Sequence, residues 1–496
     1  MKDASNKGNR KVKKSMNEQE ITKVAKFLSN KFFKFGFVAF MYLLWTVWVG
    51  NWWLLLGLPI IFDLYVTKKV NWTFWKKREG PNSKLVEWID ALIFAVVAVS
   101  LINIFLFQNY KIPTGSMEKT LRIGDHLFVS KLKYGPKIPN TPLSFPFAQH
   151  TMPLTSQTKS YVDWIQLPYK RLKGFTHVKN DDVVVFNFPE GDTVILQDQA
   201  KSYYLIISQN AEYLREQDRY SRKTIQPLDY YANLARNHIL SNYDITVRPV
   251  DKRDHYIKRC IAVPGDTLKI VNTQVFVNGK AQRQLEELLF RYHVKANGSI
   301  RRHLEKLDIY KSDIYDAGSG EYEILLTDAN AEAIRNMPNM PNMPNDTVEK
   351  KITVEKKIRP QGEFDSDVFP HDPHYRWNID NFGPLCIPKK DVTVKIDTAN
   401  ICFYKRIITA YEGNDLRINN GEIFINGTKT DEYTFKMDYY WMMGDSRHDS
   451  LDSRFWGFVP EDHIVGAPRF VWLALHKEKP FPLNIRLGRM FKAAGR

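Results

Sequence analysis

Cysteine is scarce in this chain of 496 residues, which contains only Cys260, Cys386 and Cys402. Domains that depend on disulfides carry many more, so no disulfide framework is expected. We expect all three cysteines to be small core residues. With 44% hydrophobic residues, the chain is long and apolar enough to bury a core in more than one domain.

Two sequence patterns are also missing. No helix-turn-helix candidate stands out, although a formal charge of +16 would suit nucleic acid. Much of the positive charge flanks the apolar segments, in residues 10–34 and 68–78. That position favours membrane phospholipids, and not nucleic acid, as partners, with a merely solvated basic tail as the alternative. No small-residue cleavage site follows either apolar run, so both are expected to remain as anchors.

The apolar runs predict membrane segments. Residues 36–62 carry no charge, and about 27 residues can cross a hydrocarbon core of about 30 Å once. Residues 91–107 form a second, shorter run. The positive-inside rule assigns both the basic tail and the loop after the first run to the cytoplasm. Either the first run crosses once and the tail lies outside, or, as we favour, it forms a hairpin with its tip at Gly50-Asn51.

Under either topology everything after Gln108 is extracytoplasmic. We divide the chain as follows: a basic tail or interfacial helix (1–35), a membrane-embedded segment (36–66), a basic cytoplasmic loop (67–90), a transmembrane helix (91–107), three pieces of a catalytic β domain (108–189, 251–280 and 399–475), two insertions (190–250 and 281–398) and a basic C-terminal tail (476–496).

The part after the anchors is predicted to be mainly strand. Short β-branched or aromatic runs lie next to turn residues at 125–130, 182–188 and 255–263. The insertions have a more helical pattern around residues 201–240 and 282–335. An Asn-Met-Pro repeat at 336–344 forbids regular helix and is expected to be a loop.

A weak internal repeat places two lysines in similar contexts. Lys258-Arg259 is followed by apolar alternation and an Asn-Gly turn ending at Gly279, and Lys405-Arg406 is followed by a similar pattern ending at Gly427. We interpret the repeat as two related hairpin units in one β domain. Two active sites are much less plausible, so one lysine is a decoy.

The candidate nucleophile is Ser116, about ten residues beyond the second apolar run, in Ile-Pro-Thr-Gly-Ser-Met. A serine hydroxyl needs a base within hydrogen-bond reach. His126 or His448 could complete a Ser-His-Asp triad, which spacing cannot exclude. Lys258, within an apolar run, could act instead if burial lowers its pKa.

Three segments together resemble bacterial type I signal peptidase, a membrane-bound serine protease. They are residues 113–117, residues 258–266 and Gly444-Asp-Ser-Arg-His-Asp-Ser-Leu-Asp-Ser-Arg-Phe-Trp-Gly-Phe-Val459, in this order after an apolar span. The third segment is long and highly specific. The resemblance covers about half of the chain and leaves out the insertions.

The resemblance implies roles for individual residues. Ser116 matches the nucleophile, Lys258 the general base and Ser450 a serine that orients the lysine. Thr114 stands where many members have a serine that helps to form the oxyanion hole. Residues matching the third segment are expected to support the site: Gly444, Asp445, Arg447, Asp452 and Arg454.

Two residues depart from the family pattern. Lys119 replaces a common proline and Ser446 a common asparagine. Neither touches the proposed proton path, so loop rigidity and local hydrogen bonding are affected more than activity.

The implied fold is a mainly β catalytic domain of the signal-peptidase type, with N-terminal transmembrane helices and α/β insertions. The implied activity is removal of signal peptides from exported preproteins with small-x-small cleavage sites, without cofactor or metal. The implied location is the bacterial inner membrane, with the catalytic domain on the periplasmic side. Apolar residues beside the site (Met117, Phe455, Trp456 and Phe458) could enter the outer leaflet or simply pack in the core. A non-enzymatic, membrane-tethered β domain that binds envelope partners is the alternative function.

Overall fold

A computed structural model of the chain describes residues 29–72, 81–155, 157–199, 201–221, 223–296, 300–337 and 352–495. The chain divides into two compact units, residues 1–99 and 100–496, and each is described by itself. Most of the predicted interfacial helix before residue 35 and most of the Asn-Met-Pro repeat lie outside the described residues.

The helices are few for a chain of this length. In the described ranges the α-helices are α1 Lys31–Val49, α2 Gly57–Phe62, α3 Lys84–Phe105, α4 Tyr203–Tyr220, α5 Leu228–Asn242, α6 Arg301–Lys306, α7 Asp328–Arg335, α8 Ile401–Arg406 and α9 Ser453–Trp456. Short 3₁₀ turns occur at Trp52–Leu56, Gly115–Met117, Val250–Lys252, Lys311–Asp313, Glu461–His463 and Leu487–Arg489, and π turns at Asp63–Thr67 and Ile407–Tyr411.

The first apolar run forms an antiparallel helical hairpin. Helix α1 ends at Gly50, whose left-handed φ of 64° lets the chain reverse. The aromatic rings of Phe35 and Phe62 then lie 5.1 Å apart, and the Tyr42 hydroxyl donates to the Leu54 carbonyl at 2.6 Å. The first arm is α1, with 19 residues, so it is longer than a symmetric division of the run predicts.

Helix α3 extends the second predicted span toward the N-terminus. It has 22 residues, begins at Lys84 and ends at Phe105, because apolar residues before Asp90 continue the helical pattern. Helices α1 and α3 are both long and apolar enough to cross a membrane, by length and composition.

Strands dominate the second unit. In the described residues they are β1 Phe107–Lys111, β2 Asp125–Ser130, β3 Val183–Asn187, β4 Thr193–Ile195, β5 Ile245–Val247, β6 His255–Ala262, β7 Thr267–Val271, β8 Gln274–Val277, β9 Lys280–Ala281, β10 Phe290–Lys295, β11 Ile314–Gly318, β12 Glu321–Leu326, β13 Thr353–Lys356, β14 Phe382–Cys386, β15 Thr393–Lys395, β16 Leu416–Asn419, β17 Glu422–Ile425, β18 Thr428–Lys429, β19 Glu432–Thr434, β20 Tyr439–Met443, β21 Val459–Pro460 and β22 Ile464–Ala474. The predicted mainly β domain is confirmed.

The largest sheet has the strand order β1-β2-β22-β3-β6-β20-β21. Strands β1 and β6 are four positions apart, which would separate them by about 19 Å in a flat sheet. The rings of Tyr110 on β1 and His255 on β6 nevertheless lie only 4.9 Å apart. The sheet therefore curls until its first strand meets its fifth, and this closure brings the candidate site together.

The two insertions differ in structure. The first follows its prediction: α4 and α5 form a helical hairpin on the paired strands β4 and β5. The prediction of a helical pattern at 282–335 is only partly right, because this segment contains the short helices α6 and α7 but also strands β10, β11 and β12, which form a sheet with β13. Along β10, buried Phe290, Tyr292 and Val294 alternate with more exposed residues, which is the period of a strand.

The internal repeat holds for the hairpins but not for the lysines. The β7–β8–β9 and β16–β17–β18 units are both hairpins, and Asn278 and Asn426 at their turns have φ of 52° and 51°. Lys258 lies on strand β6, whereas Lys405 lies on helix α8. The equivalence therefore begins only after the lysine-arginine pair.

The cysteine prediction is only partly right. Cys260 is buried, but Cys386 is exposed and Cys402 is partly exposed, and all three thiols are free. The C-terminal segment folds against the domain: Ala493 bridges Phe470, and Arg489 pairs with the fully buried Asp125 at 2.7 Å.

Candidate active site

Ser116 lies on the one-turn 3₁₀ helix Gly115–Met117. Apolar residues anchor the chain on both sides of the turn, since Ile112, Met117 and Leu121 are at most 3% exposed and pack in one core cluster. The Glu118 N–H closes the turn by donating to the Gly115 carbonyl at 2.8 Å. Serine is thus presented, partly exposed, between buried anchors.

The side chain of Lys258 reaches Ser116 from strand β6. It lies on β6 opposite Val184 of β3, in a run whose apolar neighbours are in the core. Its side chain is 3% exposed, and its Nζ lies 2.5 Å from Ser116 Oγ. The curled sheet therefore brings together two residues that are 142 positions apart in sequence.

Burial changes the acidity of this lysine. Desolvation lowers the pKa of Lys258 to about 8, although Asp452 and Asp445 act in the opposite direction. Removing an ammonium from water disfavours its charged form, so a larger fraction is neutral near neutral pH than for an exposed lysine. The ring of Tyr256 lies 5.8 Å from Nζ and forms part of its surroundings.

Asp452 and Arg454 form a buried ion pair behind the site. Arg454 donates to both carboxylate oxygens, at 2.9 and 2.8 Å, and the two side chains are 1% exposed or less. Burial acts to raise the pKa of Asp452, but Arg454 outweighs it and the pKa is lowered. Arg454 also donates to the Arg447 carbonyl at 2.6 Å, so the pair fixes the loop after Gly444.

Gly444 allows Ser450 and the Ser116 backbone to approach the loop backbone closely. Its N–H donates to Asp452 at 3.1 Å, and a Cβ at this position would collide with Ser450 Oγ and the Ser116 carbonyl oxygen. Ser450 is buried, and its Oγ has no hydrogen-bond partner among the described residues. A free acceptor therefore lies beside the catalytic segment.

A second buried pair connects the loop to β6. Arg259 donates to Asp445 at 2.9 and 2.7 Å, and Thr120 donates to the same carboxylate at 2.6 Å. The Ser446 N–H donates to the Ser116 carbonyl at 3.0 Å. The loop thus contacts both the turn that carries Ser116 and strand β6, which carries Lys258.

Two predicted site residues occupy less central positions. Arg447 is buried, and desolvation with Arg454 nearby lowers its pKa to about 10. Thr114 is exposed, and its side chain makes no capping hydrogen bond to the serine turn. Its predicted part in the oxyanion hole remains a prediction.

Neither histidine contacts the serine. His126 lies on β2 with its ring 5.6 Å from that of Trp472. Both ring nitrogens of His448 bind other groups, Asp380 at 2.7 Å and the Arg291 N–H at 3.0 Å. Among the described residues, the candidate base in contact with Ser116 is therefore Lys258.

The apolar residues beside the site pack in the core. Met117, Trp456 and Phe458 are 0%, 3% and 2% exposed, and Phe455 packs against a core cluster. The alternative of insertion into a membrane is wrong for the three buried residues. Lys119 has a left-handed φ of 72°, which a proline ring cannot adopt.

Sequence reasoning missed several contacts of the site. Thr120 gave no pattern beyond its place near the serine, and Leu289 exchanges backbone hydrogen bonds with Asp445 and Arg447 from the second insertion. Asp380 is also far from any motif. In the part of the chain that the structure describes, no group of three or more His, Cys, Asp or Glu residues could hold a metal ion.

Comparison with known proteins agrees with the geometry. The model of the family described as "Signal peptidase, peptidase S26" matches residues 85–314 and 432–473, more than half of the chain. Signal peptidase I of Haemophilus influenzae is 26% identical over 421 residues, which cover 84% of this chain and 78% of that protein.

Two further relatives are similar over very different lengths. Signal peptidase I of Helicobacter pylori is 22% identical over 410 residues, covering 81% of this chain and 90% of that protein. Signal peptidase I of Buchnera aphidicola from Acyrthosiphon pisum is 50% identical over 52 residues, but these cover only 10% of this chain and 17% of that protein.

The fold and these matches define a serine peptidase. More particularly, the chain belongs to the signal peptidase family, peptidase S26, and removes signal peptides from preproteins. The resemblance read from the sequence is confirmed, and the non-enzymatic alternative is set aside.

Proposed function

We propose that this signal peptidase cleaves by a Ser116–Lys258 dyad. The observation that carries the proposal is the 2.5 Å separation between Ser116 Oγ and Lys258 Nζ. Burial that lowers the pKa of Lys258 to about 8 supports it, because only the neutral amine can accept the serine proton.

The reaction is an acyl transfer in two stages. Ser116 Oγ attacks the carbonyl carbon of the scissile peptide while Lys258 Nζ takes the hydroxyl proton. The resulting ammonium returns the proton to the leaving amine, the C–N bond breaks and an acyl-enzyme remains. Water then attacks the ester with Lys258 again as base, which releases the acid and restores the serine.

Neighbouring groups are proposed to assist both stages. Thr114 and the Ser116 N–H would stabilise the oxyanion, a contribution of about 3 kcal/mol for one donor. Ser450 Oγ, buried and without a partner in the described residues, would accept a hydrogen bond from the Lys258 ammonium. Gly444, Asp445, Arg447, Asp452 and Arg454 would hold the loop that carries Ser450.

Substrate would bind as an added strand between β1 and β6. Strand β1 ends the sheet, and β20 pairs with β6 only from Arg259 onward, so within the described residues both present a free edge. Extended peptides bind such edges through backbone hydrogen bonds. Alternate side chains would face the apolar cluster around Ile112, Met117 and Ile257, which suits small residues at positions −1 and −3.

The proposed location is the bacterial inner membrane, with the catalytic domain on the periplasmic side and phospholipids at the basic segments. The antiparallel hairpin ending in Asp63–Thr67 supports this orientation. It puts the start of α1 and the basic residues after Thr67 at the same end of the hairpin. Both basic segments can then be cytoplasmic, as the positive-inside rule requires.

Replacing the nucleophile tests the mechanism. The Ser116→Ala protein, solubilised in detergent, is incubated with a preprotein that carries a small-x-small site, and the product is sequenced from its N-terminus. Wild type should cut after the second small residue, and Ser116→Ala should show no cleavage with an unchanged circular dichroism spectrum. Cleavage by Ser116→Ala near the wild-type rate would refute the dyad.

The exposed Cys386 tests the orientation. In a Cys402→Ser background, a membrane-impermeant maleimide should label Cys386 in spheroplasts without lysis, and adding Cys386→Ser should abolish this labelling. Labelling that requires lysis would contradict the periplasmic placement.

A further inference from the structure

His448 connects the loop of residues 444–452, here called the catalytic loop, to the second insertion. Its Nδ1 accepts the Arg291 N–H at 3.0 Å, and its Nε2 lies 2.7 Å from Asp380 Oδ1. A backbone N–H can only donate, so Nδ1 must be unprotonated and Nε2 carries the proton given to Asp380. The side chains of His448 and Asp380 are 5% and 3% exposed.

The segment around His448 contacts the catalytic serine at one end. The Ser446 N–H donates to the Ser116 carbonyl at 3.0 Å, and the Asp449 N–H closes the turn by donating to the Ser446 carbonyl at 3.0 Å. Ser450 follows and lies against Gly444. A displacement of His448 would therefore move both the support of the nucleophile and the serine next to the base.

The second insertion contacts this loop through its backbone as well. The Leu289 N–H donates to the Asp445 carbonyl at 3.0 Å, and the Arg447 N–H donates to the Leu289 carbonyl at 2.8 Å. Asp380 is itself fixed, since its other oxygen accepts the Arg359 N–H at 2.9 Å. The His448 side chain is thus held by two separate parts of the insertion.

We propose that His448 is a positioning residue of this peptidase. Together with Asp380 and the Arg291 backbone, it clamps the loop that touches Ser116 and carries Ser450, which makes the second insertion part of the catalytic apparatus. The inference rests on the proposed Ser/Lys mechanism. His448 takes no proton from substrate or serine, because both of its ring nitrogens bind elsewhere.

A pair of substitutions tests the clamp. His448→Ala leaves a buried carboxylate and a backbone N–H without their partner, so the loop should shift. Because small displacements at a catalytic site can reduce rates by about 100-fold, we expect kcat to fall by roughly 30- to 100-fold. KM should stay within about twofold, since the substrate edge is untouched. His448→Gln keeps a donor for Asp380 and an acceptor for Arg291, and should recover most of kcat.

Two controls separate positioning from general stability. His374→Ala removes a histidine that also pairs with an aspartate, Asp372 at 2.7 Å, but is 89% exposed, and should leave kcat unchanged. Leu304→Ala makes a cavity in the insertion's own core, where Leu304 is 0% exposed. It should lower the melting temperature yet keep wild-type kcat when assayed well below that temperature.

The outcomes are distinct. The clamp is refuted if His448→Ala keeps wild-type kcat, if it raises KM alone, if Gln gives no recovery, or if Leu304→Ala loses kcat as strongly as His448→Ala. The Ser116→Ala protein is assayed in parallel. If it is inactive while His448→Ala is fully active, only the clamp fails; if it cleaves normally, the dyad fails.

Discussion

The two lysine-arginine pairs of the repeat have opposite environments. Lys258 lies on a strand that β3 and β20 flank, is buried, and has its pKa lowered to about 8 by desolvation. Lys405 lies on the short helix α8 and is exposed. Both pairs precede similar hairpins, so the hairpin does not create the chemistry. The chemistry depends on the secondary-structure element that carries the lysine and on the segments that pack against it.

The arginines differ in the same way. Arg259 pairs with Asp445, and the two side chains are 3% and 0% exposed. Arg406 pairs with Asp192 at 3.1 Å, and these side chains are 21% and 14% exposed. The first pair connects β6 to the catalytic loop, whereas the second connects α8 to the start of the first insertion. We therefore expect mutations in the two regions to have unequal effects.

The largest difference is expected in catalysis, between replacing Lys258 and replacing Lys405. Lys258→Ala removes the proposed base, so kcat/KM should fall by at least about 10³-fold. Lys258→Met keeps most of the volume and should be equally inactive, which rules out a packing effect. Steady-state cleavage with circular dichroism measures both variants. Activity within tenfold of wild type would mean that the base lies elsewhere.

The next largest difference is expected in the free energy of unfolding, when each arginine loses its carboxylate partner. Asp445→Asn leaves a buried arginine unpaired, and removing one partner of a buried pair destabilises by about 3–5 kcal/mol. Asp192→Asn should lose less, because the Arg406–Asp192 pair is more exposed than the Arg259–Asp445 pair and Arg406 still donates to the Pro189 carbonyl and the Tyr411 hydroxyl. Urea unfolding of the detergent-solubilised proteins compares the two free energies. Equal losses would show that the two arginine pairs are equivalent after all.

The pH dependence of kcat/KM should show whether Lys258 is the general base. A pKa of about 8 for Lys258 means that the amine is protonated and inactive below this pH. On this basis kcat/KM should fall about tenfold per unit below pH 8 and level off above it. The measurement is a pH profile of kcat/KM. His448→Gln should keep the same acidic limb, and a limb that disappears in this variant would indicate an imidazole base instead.

The smallest effect is expected for the decoy. Lys405→Ala removes an exposed charge and introduces a good helix former into α8, so stability and kcat/KM should both stay close to wild type. Surface charges rarely contribute more than about 0.5–1 kcal/mol. The same cleavage assay and urea titration suffice. A loss comparable to that of Lys258→Ala would reverse the assignment of the two regions.

Local pattern was enough for three strands of the catalytic domain, β2, β3 and β6, and for the helical first insertion, but β22 at the centre of the main sheet was not predicted. Strand β2 occupies the predicted residues 125–130, and β6 begins at the predicted His255. The second insertion was assigned only in part, because a helical and a strand pattern compete in short apolar segments, and it contains both short helices and strands. In the folded chain β10 pairs with β12 on one edge and with β13 on the other, and this pairing stabilises the strand whose alternate residues are buried.

The serine, the lysine and the segment of residues 444–459 were identifiable from sequence because their residue types and order are specific. Their meeting was not, since 142 residues separate Ser116 from Lys258 and only curling of the sheet joins them. The partners from the second insertion, Leu289 and Asp380, belong to no motif. Burial and hydrogen bonding depend on which distant segments pack together, and so do the lowered pKa of Lys258, the exposure of Lys405 and the setting of His448.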